Sequence, residues 1–348
     1  MPTDDPTRPT GRTLFVPSAD RPLALLGQCP AYAPTPLRRM DGLGAEAGAG
    51  VLFVKDESTR MGLGSFKALG GAFAVARMIC DAAGTEDLAG PRARAVASGM
   101  TFITASAGNH GLSVAAGAGR FGARSVIVLA ATVPESFAAR IRAKGAGILR
   151  VDGDYEASVA VARREAERRG WLLLADGSWQ GYVDRPALVM EGYTVLAEEC
   201  RAAFAAIEVW PSHIVLQAGV GGLAAAVATH ARLNWQGAPA ITVVEPEAAP
   251  CLRASVAAGR LTPVSGPHSD MGRLDCKDAS LIAFEALRRD ADAFVTVGDA
   301  AAAEAAADFA RHGIRTTPSG AAGLAALKAL DLPADARVLL IASEGPED

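Results

Sequence analysis

Gly64-Ser65-Phe66-Lys67-Ala68-Leu69-Gly70-Gly71 is the stretch from which the fold is read. An apolar run that ends in charge, Val51-Leu52-Phe53-Val54-Lys55-Asp56-Glu57, precedes it, and a helical apolar pattern, Ala72-Phe73-Ala74-Val75-Ala76, follows it. The order predicts a strand, a Gly-rich turn, and a helix with Lys67 near its N-terminus. The partial positive charge of a helix N-terminus disfavours a cation there, and Phe66 and Leu69 partly desolvate the amine. Both effects lower its pKa, as a Schiff-base lysine needs. The competing reading is a surface lysine on an amphipathic helix.

Outward from this stretch, apolar runs alternate with helical patterns. Strands are expected at 51–54, 101–105, 125–130, 147–151, 171–175, 213–217, 241–244, 294–297 and 338–342. Helices are expected from Lys67, up to about 121, and at 134–144, 155–169, 186–204 and 223–232. Residues 13–50 read as irregular, with an extended strap at Cys29-Pro30-Ala31-Tyr32-Ala33-Pro34-Thr35-Pro36-Leu37, where the prolines fix φ and restrict their predecessors. Residues 84–99 are polar with Gly and Pro and read as a loop or domain crossing. Strands separated by helices mean an α/β protein with a mostly parallel sheet, whose ligands bind at the carboxyl ends of the strands. A block of βα units at 86–199 reads as a small domain inserted into a larger one made of 1–85 and 200–348.

The 348 residues are 50% hydrophobic and 21% charged, a globular composition with room for a real core. A net charge of −4 without a basic stripe gives no reason to expect nucleic acid. Arg163, Arg164, Arg168 and Arg169 alternate with Glu165 and Glu167 and read as a solvated helix face. Residues 1–12 lack the apolar core of a signal peptide. The longest apolar region, 213–231, is broken by Gly219, Gly221 and Gly222, so no membrane span is expected. Five cysteines without metal-ligand spacing or a pairing pattern suit a cytoplasmic protein.

Four further motifs fall at strand ends. Ala218-Gly219-Val220-Gly221-Gly222 presents backbone N–H groups at a helix N-terminus, a ready site for phosphate. The same turn, with Ala224 and the strand-ending Glu245, also fits a dinucleotide fingerprint and hence a nicotinamide-dependent oxidoreductase. Ser106-Ala107-Gly108-Asn109-His110-Gly111 offers a hydroxyl, an amide and several N–H groups to a carboxylate, with His110 read as a packed histidine. Asp176 either starts a surface turn or faces the cleft. Ser343 is either a chain-end serine or a neutral hydroxyl for a ring nitrogen. No Ser/His/Asp or metal-ligand constellation is evident.

Together these motifs resemble the tryptophan-synthase-β-like, fold type II, pyridoxal-phosphate enzymes. The resemblance implies two three-layer, parallel-sheet domains with the active site in the cleft between them. It implies pyridoxal 5'-phosphate held covalently by Lys67 and contacted by Phe66, Asn109, the turn Gly219, Val220, Gly221, Gly222 with Leu223, and Ser343. Within the family the chain is similar to the diaminopropionate ammonia-lyases, through Asp176-Gly177-Ser178-Trp179-Gln180-Gly181-Tyr182, Met190-Glu191-Gly192-Tyr193 and Leu274-Asp275-Cys276. That similarity implies β-elimination of 2,3-diaminopropionate to pyruvate and ammonia, with Lys67 and Asp176 catalytic, and with Ser106, Ala107, Gly108, His110 and Asp176 lining the substrate. It also implies a homodimer acting on a small amino acid, with no nucleic-acid or membrane partner and no metal. One departure stands out: Ala107 replaces the aspartate that those lyases carry before Gly-Asn-His-Gly, as in threonine and serine dehydratases. A β-hydroxy amino acid dehydratase or a β-replacement synthase therefore stays open. Arg273 and Lys277 also depart from the pattern and serve either an acidic substrate or the surface.

Overall fold

The computed structural model describes residues 14–106, 108–131, 133–153 and 155–346. The polar stretch 1–12 and Ala107 lie outside the described residues. The chain runs through α1 (Asp20–Leu26), β1 (Leu37–Arg39), α2 (Asp41–Glu46), β2 (Val51–Asp56) and α3 (Lys67–Ala83). Then come α4 (Pro91–Gly99), β3 (Thr101–Ala105), α5 (Asn109–Phe121), β4 (Arg124–Ala130), α6 (Glu135–Arg142), β5 (Gly147–Val151), α7 (Tyr155–Arg169) and β6 (Leu172–Leu173). The long α8 (Asp184–Ile207) leads to β7 (His213–Gln217), α9 (Gly222–Asn234), β8 (Ala240–Pro246), α10 (Cys251–Ala258) and α11 (Leu281–Asp290). β9 (Ala293–Val297), α12 (Asp299–Arg311), α13 (Pro318–Leu327) and β10 (Arg337–Ala342) complete it. None of these helices is long and apolar enough to cross a membrane.

Two sheets result. The larger has the order β1-β2-β10-β7-β8-β9 and is parallel except for β1. The smaller, β5-β4-β3-β6, is wholly parallel. Their central strands are apolar on both faces, as β2, β3 and β10 show, because helices cover both sides. Helix α3 joins the two layers: it packs against α5 beside the small sheet and against α8 beside the large one. A single apolar cluster runs through this junction, from Phe53 and Phe73 to Phe102, Leu174 and Leu196.

Three sequence expectations change. Residues 13–50 carry two short helices and β1, because β1 finds its antiparallel partner in β2, with Leu37 opposite Lys55. Such pairing is a tertiary fact with no local signature. Residues 84–99 contain a helix, α4, opened by Pro91 and burying Ala93 and Ala97 one turn apart. The strand expected at 171–175 narrows to β6, because the Ala175 N–H turns to the Tyr182 hydroxyl. Residues 199 and 200 both lie in the continuous helix α8.

The strap is held by buried charge. The Arg60 guanidinium, fully buried, donates to Glu57 Oε2 at 2.7 Å, to Glu199 Oε1 at 2.8 Å and to the Ala33 carbonyl at 2.9 Å. Lys55 Nζ donates to Glu199 Oε2 at 2.5 Å and to the Thr35 carbonyl at 2.6 Å. Tyr32 OH donates to Glu199 Oε1 at 3.0 Å. Two cations thus face two carboxylates, and the spare donors end on strap oxygens, which is the condition under which buried charge is tolerated. The network fixes the Glu57–Gly64 segment that delivers Lys67. Removing one member leaves the others buried and unpaired. Glu199→Ala is therefore expected to destabilise the protein by about 3–5 kcal/mol, read as a lowered urea midpoint; an unchanged midpoint would show the network to be energetically idle.

Candidate active site

The side chains singled out at strand ends converge on one cavity of about 920 Å³ between the two sheets. Lys67, the first residue of α3, forms an ion pair across it with Asp176, which follows β6. The segment before Lys67 is stitched to the end of β10: Phe66 N–H donates to the Ser343 carbonyl at 3.1 Å, and Gly345 N–H to the Gly64 carbonyl at 2.9 Å. Ser343 is buried and lines the cavity. Phe66 lies beside the amine, 5.6 Å from Nζ to the ring centroid.

The Gly-rich turn leads into α9, with Gly222 as its first residue. Gly221 adopts φ +100°, which an L side chain resists, and a Cβ there would lie 2.8 Å from the Ala283 methyl. A Cβ on Gly219 would lie 2.9 Å from Cys276 Sγ and 3.1 Å from the Arg273 carbonyl. Backbone alone fits here, at the positive end of a helix. Val220 and Leu223 complete the lining.

Asp176 is placed by residues that the sequence left without a role. Tyr182 OH donates to the Leu173 carbonyl at 2.9 Å and accepts the Ala175 N–H at 3.0 Å. Trp179 stacks on Tyr182 at 4.4 Å. Ser178 Oγ lies 2.7 Å from Ser280 Oγ and accepts the Ile282 N–H at the start of α11. The Asp-x-x-Trp-x-Gly-Tyr stretch is thus a clasp that spans from the small sheet to α11 and holds the carboxylate between them.

The polar groups of the second turn also bond within the protein. Asn109 does sit at a helix N-terminus, but its Nδ2 donates to Glu344 Oε2 at 2.5 Å. Glu344 Oε1 also accepts from Thr317 Oγ1 at 2.6 Å, and Arg273 Nε lies 4.0 Å from Oε2. Ser106 Oγ closes its own turn, accepting the Gly108 N–H at 3.1 Å. Gly108 lies flat against Arg273, whose Cζ would be 3.0 Å from a Cβ there. His110 is buried, with Nε2 2.8 Å from the Leu174 carbonyl, and burial lowers its pKa, so it is a packed neutral imidazole. Glu344 adjoins Ser343 at a strand end. Lys277 is occupied by Asp275 at 2.6 Å and by the carbonyls of Ala248 and Pro267.

Two expectations fail here. The dinucleotide reading fails because Glu245, fully buried, accepts the N–H groups of Leu252 at 2.7 Å and Arg253 at 2.8 Å and so caps α10. The lowered pKa expected for Lys67 fails as well. Burial does push the amine down, but the Asp176 carboxylate outweighs it and holds Lys67 above the ordinary lysine range. In return Lys67 holds Asp176 well below the usual carboxylate range despite its burial. The helix terminus and apolar neighbours were legible in the sequence, whereas a carboxylate 109 residues away was not.

The ion pair makes a measurable demand. Asp176→Asn removes the charge that raises Lys67 while burial continues to lower it. The pH midpoint for reductive methylation of Lys67 by formaldehyde, read by peptide mass spectrometry, is expected to fall by about one to three units. An unmoved midpoint would show that Asp176 does not govern the amine.

Comparison with known proteins agrees with this geometry. The model of the family "Pyridoxal-phosphate dependent enzyme" matches residues 29–344. The diaminopropionate ammonia-lyase of Escherichia coli (strain K12) is 33% identical over 341 residues, covering 91% of this chain and 85% of that protein. A probable D-serine dehydratase from Burkholderia thailandensis is 30% identical, covering 80% of this chain and 65% of the other. The crystal structure of the Escherichia coli diaminopropionate ammonia-lyase in complex with D-serine superposes with a TM-score of 0.85 at 30% identity, covering 97% of this chain and 91% of that one. With a paired lysine at a helix start, a side-chain-free glycine turn at another, and a family match over nearly the whole chain, this protein belongs to the pyridoxal-phosphate-dependent enzymes.

Proposed function

We propose that the protein catalyses β-elimination of a small amino acid, 2,3-diaminopropionate or a near analogue, to pyruvate and ammonia. The observation that carries this is the Lys67–Asp176 pair: an amine and a carboxylate face each other in one cavity, supplied by different lobes. The kinship with diaminopropionate ammonia-lyases supports the substrate class.

The cavity fits pyridoxal phosphate on its own features. Lys67 offers an amine to the aldehyde, the amides of Gly219–Gly222 at the start of α9 suit the phosphate, and Phe66, Leu223 and the neutral Ser343 would border the ring. Asn109 serves from the opposite side, through the amide it now gives to Glu344. When bound, the cofactor supplies the electron sink for the negative charge left at the α-carbon. Lys67 takes the α-proton at Nζ, so it must be neutral at that moment, and the raised pKa of the ion pair makes this base favour alkaline pH. Asp176 keeps the amine aligned before transfer and stabilises the ammonium afterwards. It also stands where a departing β-amine can be met. The turn of Ser106, Gly108 and His110 would bind the substrate carboxylate, with N–H groups at the start of α5 as donors. With an alanine at 107 no acid is supplied there, so the L-isomer is the expected substrate.

A second reading, β-hydroxy amino acid dehydration, is favoured by Ala107 and by the D-serine dehydratase relative. A cytoplasmic setting accords with five free cysteines; a homodimer follows from the resemblance and is checked by light scattering.

A panel of L- and D-2,3-diaminopropionate, L- and D-serine, L-threonine and 3-hydroxyaspartate tests the proposal. Two ammonia per pyruvate from the L-diamino acid is expected, and turnover of the hydroxy amino acids alone would replace the lyase with a dehydratase. Lys67→Ala is expected to lose roughly a thousandfold or more in kcat. Gly219→Ala, which crowds Cys276 and the Arg273 carbonyl, is expected to weaken pyridoxal phosphate retention roughly tenfold in equilibrium dialysis; full retention would remove the turn from the phosphate site.

A further inference from the structure

Tyr193 lies on α8, in the Met190-Glu191-Gly192-Tyr193 stretch to which the reaction above assigns nothing. It is 2% exposed and lines the cavity, and its hydroxyl makes no hydrogen bond of good geometry among the described residues, with the Lys67 amine as its charged neighbour. A buried hydroxyl without a partner costs stability, so its persistence at the reacting end of a site calls for a use.

The ring is held at a fixed place. It meets Phe66 edge-on, 4.9 Å between centroids at 64°. A Cβ on Gly70 would come within 2.4 Å of its Cε1 and 2.8 Å of its Cζ, and one on Gly222 within 3.5 Å of its Cε2. Gly70 is one turn after Lys67 on the same face of α3. The missing side chain therefore admits the phenol beside the lysine, and Gly192 makes the same allowance from α8, where a Cβ would lie 2.7 Å from Gly70 Cα.

The geometry points to Tyr193 as a positioning residue for Lys67, its hydroxyl oxygen accepting an amine N–H when Lys67 turns from Asp176 to the substrate. An ammonium has three donors, and Asp176 occupies one. A second acceptor on the α8 side keeps the lone pair aimed at the α-carbon; as that C–H bond breaks and an N–H bond forms on Lys67, the oxygen stabilises the new ammonium. The phenol suits this role because it stays protonated: burial and Asp176 raise its pKa, outweighing the pull of Lys67. The other titratable groups coupled to the amine are Asp176, Cys276 on the segment before α11, and His110 on α5, which burial keeps neutral. The inference rests on Lys67 being the base of the proposed elimination.

Tyr193→Phe keeps the ring and deletes the oxygen. In the full-length, cofactor-free chain, the pH midpoint for methylation of Lys67 is expected to fall by about one unit, because an acceptor of the charged form is lost. In the holoenzyme, where Lys67 regains its amine once substrate is bound, the acid limb of kcat is expected to move to lower pH with it, and kcat to fall roughly tenfold with KM unchanged. Loss of activity with an unmoved Lys67 midpoint would reduce Tyr193 to packing and overturn the inference. If the phenylalanine variant does not fold, 4-fluorophenylalanine at position 193 keeps the ring and fills the place of the hydroxyl with fluorine, a poor acceptor, and a midpoint equal to that of the unmodified protein would likewise overturn it. The methylation readout needs no substrate, so a protein inert on the whole amino acid panel still decides the role of Tyr193, separately from the proposed reaction.

Discussion

The close approach of two helices, α5 and α8, to α3 is the constraint on which the site depends. α3 is met from one side by α5 and from the other by α8, and both contacts are too near for side chains. A Cβ on Gly71 would lie 1.8 Å from Ser113 Oγ, and one on Gly70 would collide with Tyr193. Paired small residues of this kind let helix backbones approach at the expense of tolerance to substitution. The consequence is positional. The first turn of α3, and Lys67 with it, is wedged between the lobes, so that a carboxylate that follows the small sheet pairs with the amine and the Tyr193 ring packs against Gly70 one turn on.

Electrostatics then decides how that amine behaves. A lysine at a helix start among apolar groups is expected to be easily deprotonated, and burial does act in that direction. Asp176 reverses the sign. The Trp179–Tyr182 clasp and the Ser178–Ser280 contact hold that carboxylate rigidly, so it cannot relax away from the amine. The opposite wall is charged in a balanced way, with Glu344 accepting from Asn109 and Thr317 and lying near Arg273. The site is thus a pair of opposed ion-pairing systems about a neutral glycine cradle.

The buried network under the strap plays the corresponding structural part. Lys55, Glu57, Arg60 and Glu199 are nearly inaccessible to water, and their donors end on the strap's own oxygens. Prolines gave the strap an extended shape, but charge gives it a place. The loop to Lys67 begins at this network and ends at the stitch to β10, so both of its ends are fixed.

Sequence alone determined whatever has a local cause. Alternating strand and helix periods specified the parallel α/β class and most element positions, since apolar spacing reflects which face of each element is buried. Glycine turns at strand ends marked where backbone alone fits against its neighbours, and the lysine after Ser-Phe marked an amine that lines the cavity. Tertiary structure decided which groups meet: β1 pairs with β2 and Glu245 turns inward to cap α10, while Asp176 meets Lys67 and Glu344 meets Asn109 from far along the chain. Pairings across a hundred or more residues leave no period in the chain. The pKa of Lys67, the fate of Glu245 and the place of Tyr193 therefore follow only from the folded arrangement of charges and helices.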